Sequence, residues 1–161
     1  MAQGYSYDNY NKQSMARAVG KSMTISTKQS VEICSLLRGR KLSRAKQMLN
    51  DVIAEKSAVP FRRFRHNIGH KNVGGPARFP KKASAEILGL INQVEANAQF
   101  KGLNTANLVI AHINANKGGS TMRQGRKRGM KAKRTHIEIV AVERAEKKKD
   151  KAPKKQEQDK K

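Results

Sequence analysis

Two long stretches of this chain contain no aspartate or glutamate, one between Glu55 and Glu86 and the other between Glu95 and Glu138. The first stretch holds eight lysines and arginines, and the second holds nine. Soluble protein surfaces usually intersperse charges of both signs, which limits repulsion between like charges. These two acid-free stretches depart from that pattern. They predict exposed surfaces that bind phosphate groups.

The net charge of the whole chain also indicates a partner that carries phosphate groups. The 161 residues include 35 Lys and Arg against 12 Asp and Glu, a formal charge of +23. A compact protein with this charge repels itself unless a polyanion neutralises it, so nucleic acid is the expected partner. No aliphatic run approaches the roughly 20 residues that cross a bilayer, and the N-terminus lacks a secretory signal. We therefore expect no membrane association and a cytoplasmic location, where the single Cys34 stays reduced.

Apolar periodicity predicts an α+β fold, in which a small three-stranded antiparallel sheet packs against three helices. Alternating apolar residues favour strands, and apolar residues three or four positions apart favour helices. The predicted elements are a strand over 14–25, a helix from Ser26 or Thr27 to Gly39, a helix N-capped by Ser43 with its apolar stripe over 45–53, a helix from after Pro80 to Gly102, and strands over 107–115 and 135–143.

Two of the connections between these predicted helices and strands are cationic. Residues 60–82 contain three prolines, three glycines and seven lysines and arginines without a regular period, which predicts an extended basic loop. Its phenylalanines, Phe61, Phe64 and Phe79, could stack on bases or pin the loop to the core. The alternative for this segment is a solvated loop with no partner.

Residues 116–134 separate the last two predicted strands and carry eight cations. Hairpin turns usually need about two to five residues, so these 19 residues predict a long, extended β-hairpin arm. RNA would order such an arm, because arginine side chains bind phosphates and glycines allow close backbone approach. The alternative is a disordered basic loop.

The predicted organisation is a single globular RNA-binding domain over 14–143, which includes the basic loop and the arm. Residues 1–13 form an N-terminal extension whose three tyrosines could stack on bases or dock on the domain. Residues 144–161 form a basic C-terminal tail that we expect to be disordered without RNA.

Five short motifs resemble one known family over about residues 14–143. The resemblance is to the universal large-subunit ribosomal protein twenty-two family, in the archaeal and eukaryotic branch, whose eukaryotic member is large-subunit protein seventeen. The motifs are Arg38-Gly39-Arg40-Lys41, Val59-Pro60-Phe61-Arg62, Gly69-His70-Lys71, Arg78-Phe79-Pro80-Lys81-Lys82-Ala83 and Arg123-Gln124-Gly125-Arg126.

This resemblance implies a structural component of the large ribosomal subunit that binds and organises ribosomal RNA during assembly. It also implies that the hairpin lines the nascent-peptide exit tunnel. The implied partners are large-subunit rRNA, neighbouring large-subunit ribosomal proteins and the nascent polypeptide. The tunnel-side tip would comprise Arg123, Gln124, Gly125, Arg126, Lys127 and Arg128.

The RNA-binding residues predicted from the motifs and the surrounding cations extend over the domain, the loop and the arm. They are Lys21, Arg38, Arg40, Lys41, Arg62, Arg63, Arg65, His66, His70, Lys71, Arg78, Lys81, Lys82, Lys117, Arg123, Arg126, Lys127, Arg128, Lys131, Lys133 and Arg134.

Catalytic and metal-binding functions are not expected, and neither is a cofactor or a small-molecule substrate. His66 and His70 lie four residues apart, but no Cys, Asp or Glu nearby supplies a third ligand. The competing function is that of a basic DNA-binding or chromatin-type protein. The cations concentrate in loops and not at an exposed helix start, which argues against a recognition helix.

Overall fold

The computed structural model describes residues 5–144 and has the predicted α+β class, with three α-helices and antiparallel sheets. The helices are α1 (Thr27–Leu37), α2 (Leu42–Ile53) and α3 (Lys81–Phe100). The strands are β1 (Met15–Met23), β2 (Val59–Pro60), β3 (His70–Lys71), β4 (Gly75–Arg78), β5 (Leu108–Lys117), β6 (Thr121–Met122), β7 (Lys131–Ala132) and β8 (Thr135–Glu143). The predicted C-terminal tail, from residue 145 onwards, lies outside the described residues.

The main sheet has the order β1-β8-β5, and both pairings are antiparallel. One face of the sheet forms the core, where Ile137 and Ile139 of β8 and Ile110 and Ile113 of β5 are fully buried. The buried stripe of α3, which includes Ile87 and Ile91, packs on this face with α1 and α2. The three-stranded sheet and its helical cover confirm the sequence prediction.

The predicted N-cap of the second helix is wrong. The helix begins at Leu42, and the extended residue Lys41 occupies the N-cap position in place of Ser43. Leu42 is only 1% exposed and belongs to the core. Burial of its side chain therefore brings the chain into the helix before Ser43, which is exposed in the first turn.

The basic loop over 60–82 is more regular than its sequence indicates. Short strands β2, β4 and β3 form a second antiparallel sheet in that order, and Lys81 and Lys82 already belong to α3. The backbone N–H of Phe61 donates to Pro76 O (2.8 Å), and Phe61 is only 4% exposed. Phe61 thus pins the loop to the body, which excludes a fully solvated segment.

The arm is a hairpin that continues the β5–β8 pair. After Lys117 pairs with Thr135, the N–H of Gly118 donates to Arg134 O (2.9 Å). Pairing resumes between β6 and β7, where Thr121 lies opposite Ala132. The arm therefore has a paired stem and not the disorder of a free loop.

The N-terminal segment docks on the outer face of the main sheet. The guanidinium of Arg17 lies between the rings of Tyr5 and Tyr10, 4.3 and 4.4 Å from their centroids. The ring of Tyr7 lies 5.4 Å from that of His112. Of the two roles left open for these tyrosines, the structure shows docking on the domain.

Candidate nucleic-acid interface

The predicted RNA-binding side chains are available to a large ligand. All 21 are exposed except Arg134, which is half-buried at the base of the arm. Within the described part of the chain, the cations of the arm form no ion pair with an acid. A polyanion could therefore neutralise them without first displacing an acidic side chain.

The tip of the arm is a closed turn. The N–H of Arg123 donates to Met130 O (2.9 Å), and the N–H of Arg128 donates to Gly125 O (3.0 Å) across a short 3-10 turn. Gly125 has a φ of 65°, which a glycine adopts without strain. The predicted tip residues therefore share one end of the hairpin, where every residue from 121 to 130 is exposed.

The stem of the arm meets the body beside the start of α3. Arg123, Lys131, Lys133 and Arg134 line a cleft of about 450 Å³ together with Lys82. These residues are far apart in sequence, and the fold brings them to one polar opening. Two of the cationic regions predicted from the sequence, the loop end and the arm, thus form a single surface.

A second cleft, of about 560 Å³, lies between the basic loop and the base of the arm. We call it the loop–arm cleft. Its lining residues are Ser26, Thr27, Lys28, Phe64, Lys117, Gly118, Ser120, Lys131, Lys133 and Arg134. Lys28, in the first turn of α1, was not among the predicted residues because its surroundings in sequence are not cationic.

Glu32 is a site residue that sequence reasoning missed. It lies on α1, is 3% exposed, and its carboxylate accepts backbone N–H bonds from the loop. Oε1 accepts from Arg63 and Phe64, both at 2.8 Å, and Oε2 accepts from Arg62 at 3.1 Å. The only sequence signal was an acid within the apolar run over 31–37. Glu32 holds the start of the basic loop and directs its arginines outwards.

Some predicted residues also have structural contacts. Arg38 donates from Nη2 to Ile113 O (3.0 Å), and Arg134 Nη1 lies 3.4 Å from Ser22 O. Lys81 Nζ lies 2.8 Å from Glu55 Oε1 in an exposed ion pair. Such exposed pairs contribute little to stability, so an RNA phosphate could replace the carboxylate.

Lys21 is not brought together with the other predicted residues. It lines a separate cleft of about 260 Å³ with Tyr5, Val19 and His136. This cleft lies beside the docked N-terminal segment. Arg38, Arg40 and Arg62 line another cleft, of about 140 Å³, between α1 and the start of the basic loop. The arm therefore shares its two clefts with the start of α3 and with Phe64 of the loop, whereas Lys21 and the Arg38 group lie in clefts of their own.

His66 and His70 are both exposed, and His70 lies in β3. Among residues 5–144, no group of three or more His, Cys, Asp or Glu side chains is placed to hold a metal ion. The site therefore offers cations, N–H donors and one aromatic wall, which is the chemistry of phosphate and base binding.

Comparison with known protein families identifies this arrangement. The family model described as "Ribosomal protein L22p/L17e" matches residues 18–142, which include the whole main sheet except the ends of its strands. The chain belongs to this family. The match confirms the resemblance based on the five motifs, and it confirms a ribosomal protein and not an enzyme.

Archaeal members of the L22p/L17e family are similar over most of the chain. The large ribosomal subunit protein uL22 of Methanosphaera stadtmanae is 42% identical over 147 residues, which cover 86% of this chain and 96% of the relative. The uL22 of Methanocella arvoryzae is 42% identical over 143 residues, with coverage of 87% and 93%. The uL22 of Thermoplasma acidophilum is 45% identical over 115 residues, with coverage of 71% and 75%.

No helix in residues 5–144 is both long and apolar enough to cross a bilayer. The longest, α3, has 20 residues but buries only one side against the sheet.

Proposed function

We propose that this L22p/L17e family member is a structural component of the cytoplasmic large ribosomal subunit, where it binds and organises rRNA during assembly. The observation that carries the proposal is the cationic lining of two adjoining clefts, which the arm shares with the start of α3 and with the basic loop. The relatives are named large ribosomal subunit proteins, which supports the same assignment. Neighbouring subunit proteins are the other partners that this location supplies.

The binding mechanism is electrostatic. Each lysine or arginine that neutralises a phosphate releases condensed counterions, and the logarithm of the binding constant falls by about 0.7–0.9 per phosphate for each tenfold rise in salt. RNA helices have a deep, narrow major groove, so specificity comes from the shape of folded RNA and from unpaired bases. A rigid body with a projecting cationic hairpin suits such a folded surface.

We also propose that the tip of the arm contacts the exit tunnel and the nascent polypeptide. The support is the exposed turn over 123–128, which has four cations and no acid. Its backbone is closed on itself, so the tip keeps its shape when the stem is bound by RNA. The exposed Met122 and Met130, at 57% and 60%, flank the turn and present flexible apolar side chains to a passing peptide.

The experiment that tests this function replaces Arg126 and Arg128 by glutamate. The double variant should bind large-subunit rRNA more weakly, with a shallower salt dependence, and should reduce the yield of large subunits in sedimentation profiles. The matched control is Lys12→Glu with Arg44→Glu, which makes the same charge change at exposed positions outside both acid-free stretches and outside the predicted interface. Normal affinity and normal subunit profiles for the arm variant would contradict the proposed role of the arm.

The competing DNA-binding function is tested in the same assay. Duplex DNA of the same length as the rRNA ligand should compete only weakly with that rRNA for the protein at moderate salt. Equal affinity for DNA, together with absence of the wild-type protein from large-subunit fractions, would favour a chromatin-type function.

A further inference from the structure

The loop–arm cleft combines features that no single segment of the chain supplies. Phe64 comes from the basic loop, Lys28 from α1, and Lys117, Lys133 and Arg134 from the base of the arm. Its volume of about 560 Å³ lies within the range of roughly 300–1,000 Å³ that is usual for small-ligand sites. The cleft is therefore large enough for one nucleotide.

The charge around this cleft is of one sign. Five of its ten lining residues are lysine or arginine, and none is acidic. Two cations lie over the Phe64 ring: Nζ of Lys28, which is one of these five residues, lies 5.6 Å from its centroid, and Cζ of Arg63 adds a sixth charge at 5.7 Å. A ligand in contact with Phe64 would thus meet positive charge around it, as the phosphates of a nucleotide require.

Phe64 is fixed where it can serve as a wall of the cleft. Its backbone N–H donates to Glu32 Oε1 at 2.8 Å, and its side chain is half-buried, not packed in the core as Phe61 is. Because the backbone of this half-buried residue is already held, a base that takes the place of the Lys28 or Arg63 side chain over the ring can stack at a small cost in conformational entropy. Stacking on aromatic rings is the usual way in which proteins hold bases that are not paired.

We propose that the loop–arm cleft binds one unpaired nucleotide of the RNA, with its base against Phe64 and its flanking phosphates on the lysines and Arg134. This inference rests on the proposed RNA-binding function. An unpaired base offers the free ring face that stacking on Phe64 requires, which a base stacked inside a helix does not. The cleft would thus recognise one feature of the folded RNA, an unpaired nucleotide, while the rest of the surface binds phosphates.

The test compares Phe64→Leu with Phe64→Tyr in binding to purified large-subunit rRNA at several salt concentrations. Leucine keeps an apolar side chain but removes stacking, whereas tyrosine keeps the ring. We expect Phe64→Leu to weaken binding by about fivefold or more, with an unchanged salt slope, and Phe64→Tyr to stay within about twofold of wild type. By contrast, Lys133→Gln should reduce the slope by about 0.7–0.9.

A second measurement keeps the test decisive if Phe64→Leu fails to fold. A photoreactive benzoylphenylalanine at position 64 of the full chain, irradiated in assembled subunits, should crosslink to a single nucleotide that is unpaired in the RNA. Wild-type affinity of a folded Phe64→Leu variant, or crosslinking only to paired nucleotides or to protein, would overturn the inference. Failure of the wild-type protein to bind rRNA at all would instead overturn the proposed function.

Discussion

The Glu32 carboxylate lies 2.8 Å from the backbone nitrogen of Arg63 and accepts its hydrogen bond, although the two residues are 31 positions apart. The N–H groups of Arg62 and Phe64 bind the same carboxylate. A buried anion thus organises the start of a cationic loop from below. Without it, three backbone donors close to the core would lose their acceptor.

Replacement of Glu32 by glutamine should destabilise the protein by about 1–3 kcal/mol, because the amide NH2 must face at least one of the three N–H donors. Urea unfolding measures this change. Because the Glu32→Gln variant holds the start of the basic loop less firmly, it should also bind rRNA more weakly than wild type. The control is Glu86→Gln on the exposed side of α3, which we expect to stay within about 0.5 kcal/mol of wild type. Equal stability of the two variants would show that Glu32 does not anchor the loop.

The two adjacent glycines at the base of the arm, Gly118 and Gly119, allow a matched pair of alanine substitutions. A Cβ at Gly118 would lie 3.0 Å from Arg134 Cβ and 3.2 Å from the Arg134 carbonyl carbon, whereas a Cβ at Gly119 would meet nothing within 4 Å. Gly118→Ala should therefore strain the stem and lower stability by about 1 kcal/mol or more.

Gly119→Ala should leave stability unchanged or raise it by about 0.4–1 kcal/mol, since alanine reduces the entropy of the unfolded chain. Thermal unfolding of both variants checks the sign of each change. The interpretation fails if Gly118→Ala is as stable as Gly119→Ala. Because the stem orients the tip, Gly118→Ala should also reduce rRNA affinity more than Gly119→Ala does.

The elements predicted correctly are those with enough residues to show a period. β5, β8 and α3 each have nine or more residues, and their apolar positions repeat as a strand or a helix requires. The strands β2, β3 and β4 have two to four residues, too few for a visible alternation. Their pairing depends on tertiary contacts such as that of Phe61, which no local pattern reveals.

The candidate site was predictable in its chemistry but not in its assembly. Runs of cations without acids identified the loop and the arm, because such runs are visible in the sequence. Phe64 lies in the same cleft as Lys117 and Lys133 because the buried Glu32 on α1 holds the backbone of the loop at Phe64. No local sequence pattern indicates that contact. The RNA contacts themselves remain predictions.

Cys34 should be inert in the folded protein. Burial raises the pKa of its thiol to about 12, and the residue is only 2% exposed. At pH 8 a thiol reagent needs both access and the thiolate, so labelling should be at least about a thousandfold slower than in the unfolded chain. The rate measured against denaturant concentration should follow unfolding. Rapid labelling without denaturant would contradict the burial of α1 against the sheet.

Glu138 links the N-terminal segment to the main sheet in a pH-dependent way. Burial acts to raise the pKa of its carboxyl, but hydrogen bonds from the hydroxyl and the backbone N–H of Ser6, and from His112, outweigh burial and lower the pKa below 4.5. A lowered pKa in the folded state means that the ionised form stabilises the fold. This contribution is fully present above pH 4.5 and is lost as the pH falls through the lower, folded-state value.

We therefore expect Glu138→Gln to be less stable than wild type at pH 7, and the difference to shrink as the pH falls below 4.5. Urea unfolding at a series of pH values measures it. Glu86→Gln should show no such convergence, because Glu86 is exposed and its carboxylate forms no hydrogen bond or ion pair within residues 5–144. Release of the chain around Ser6 should accompany the change, since Ser6 binds Glu138. Tyr10 should stay in place, because its hydroxyl donates to Met15 O (3.2 Å) and accepts from Lys101 Nζ (2.6 Å). A stability difference that is the same at pH 7 and pH 3 would mean that Glu138 acts through its shape and not through its charge.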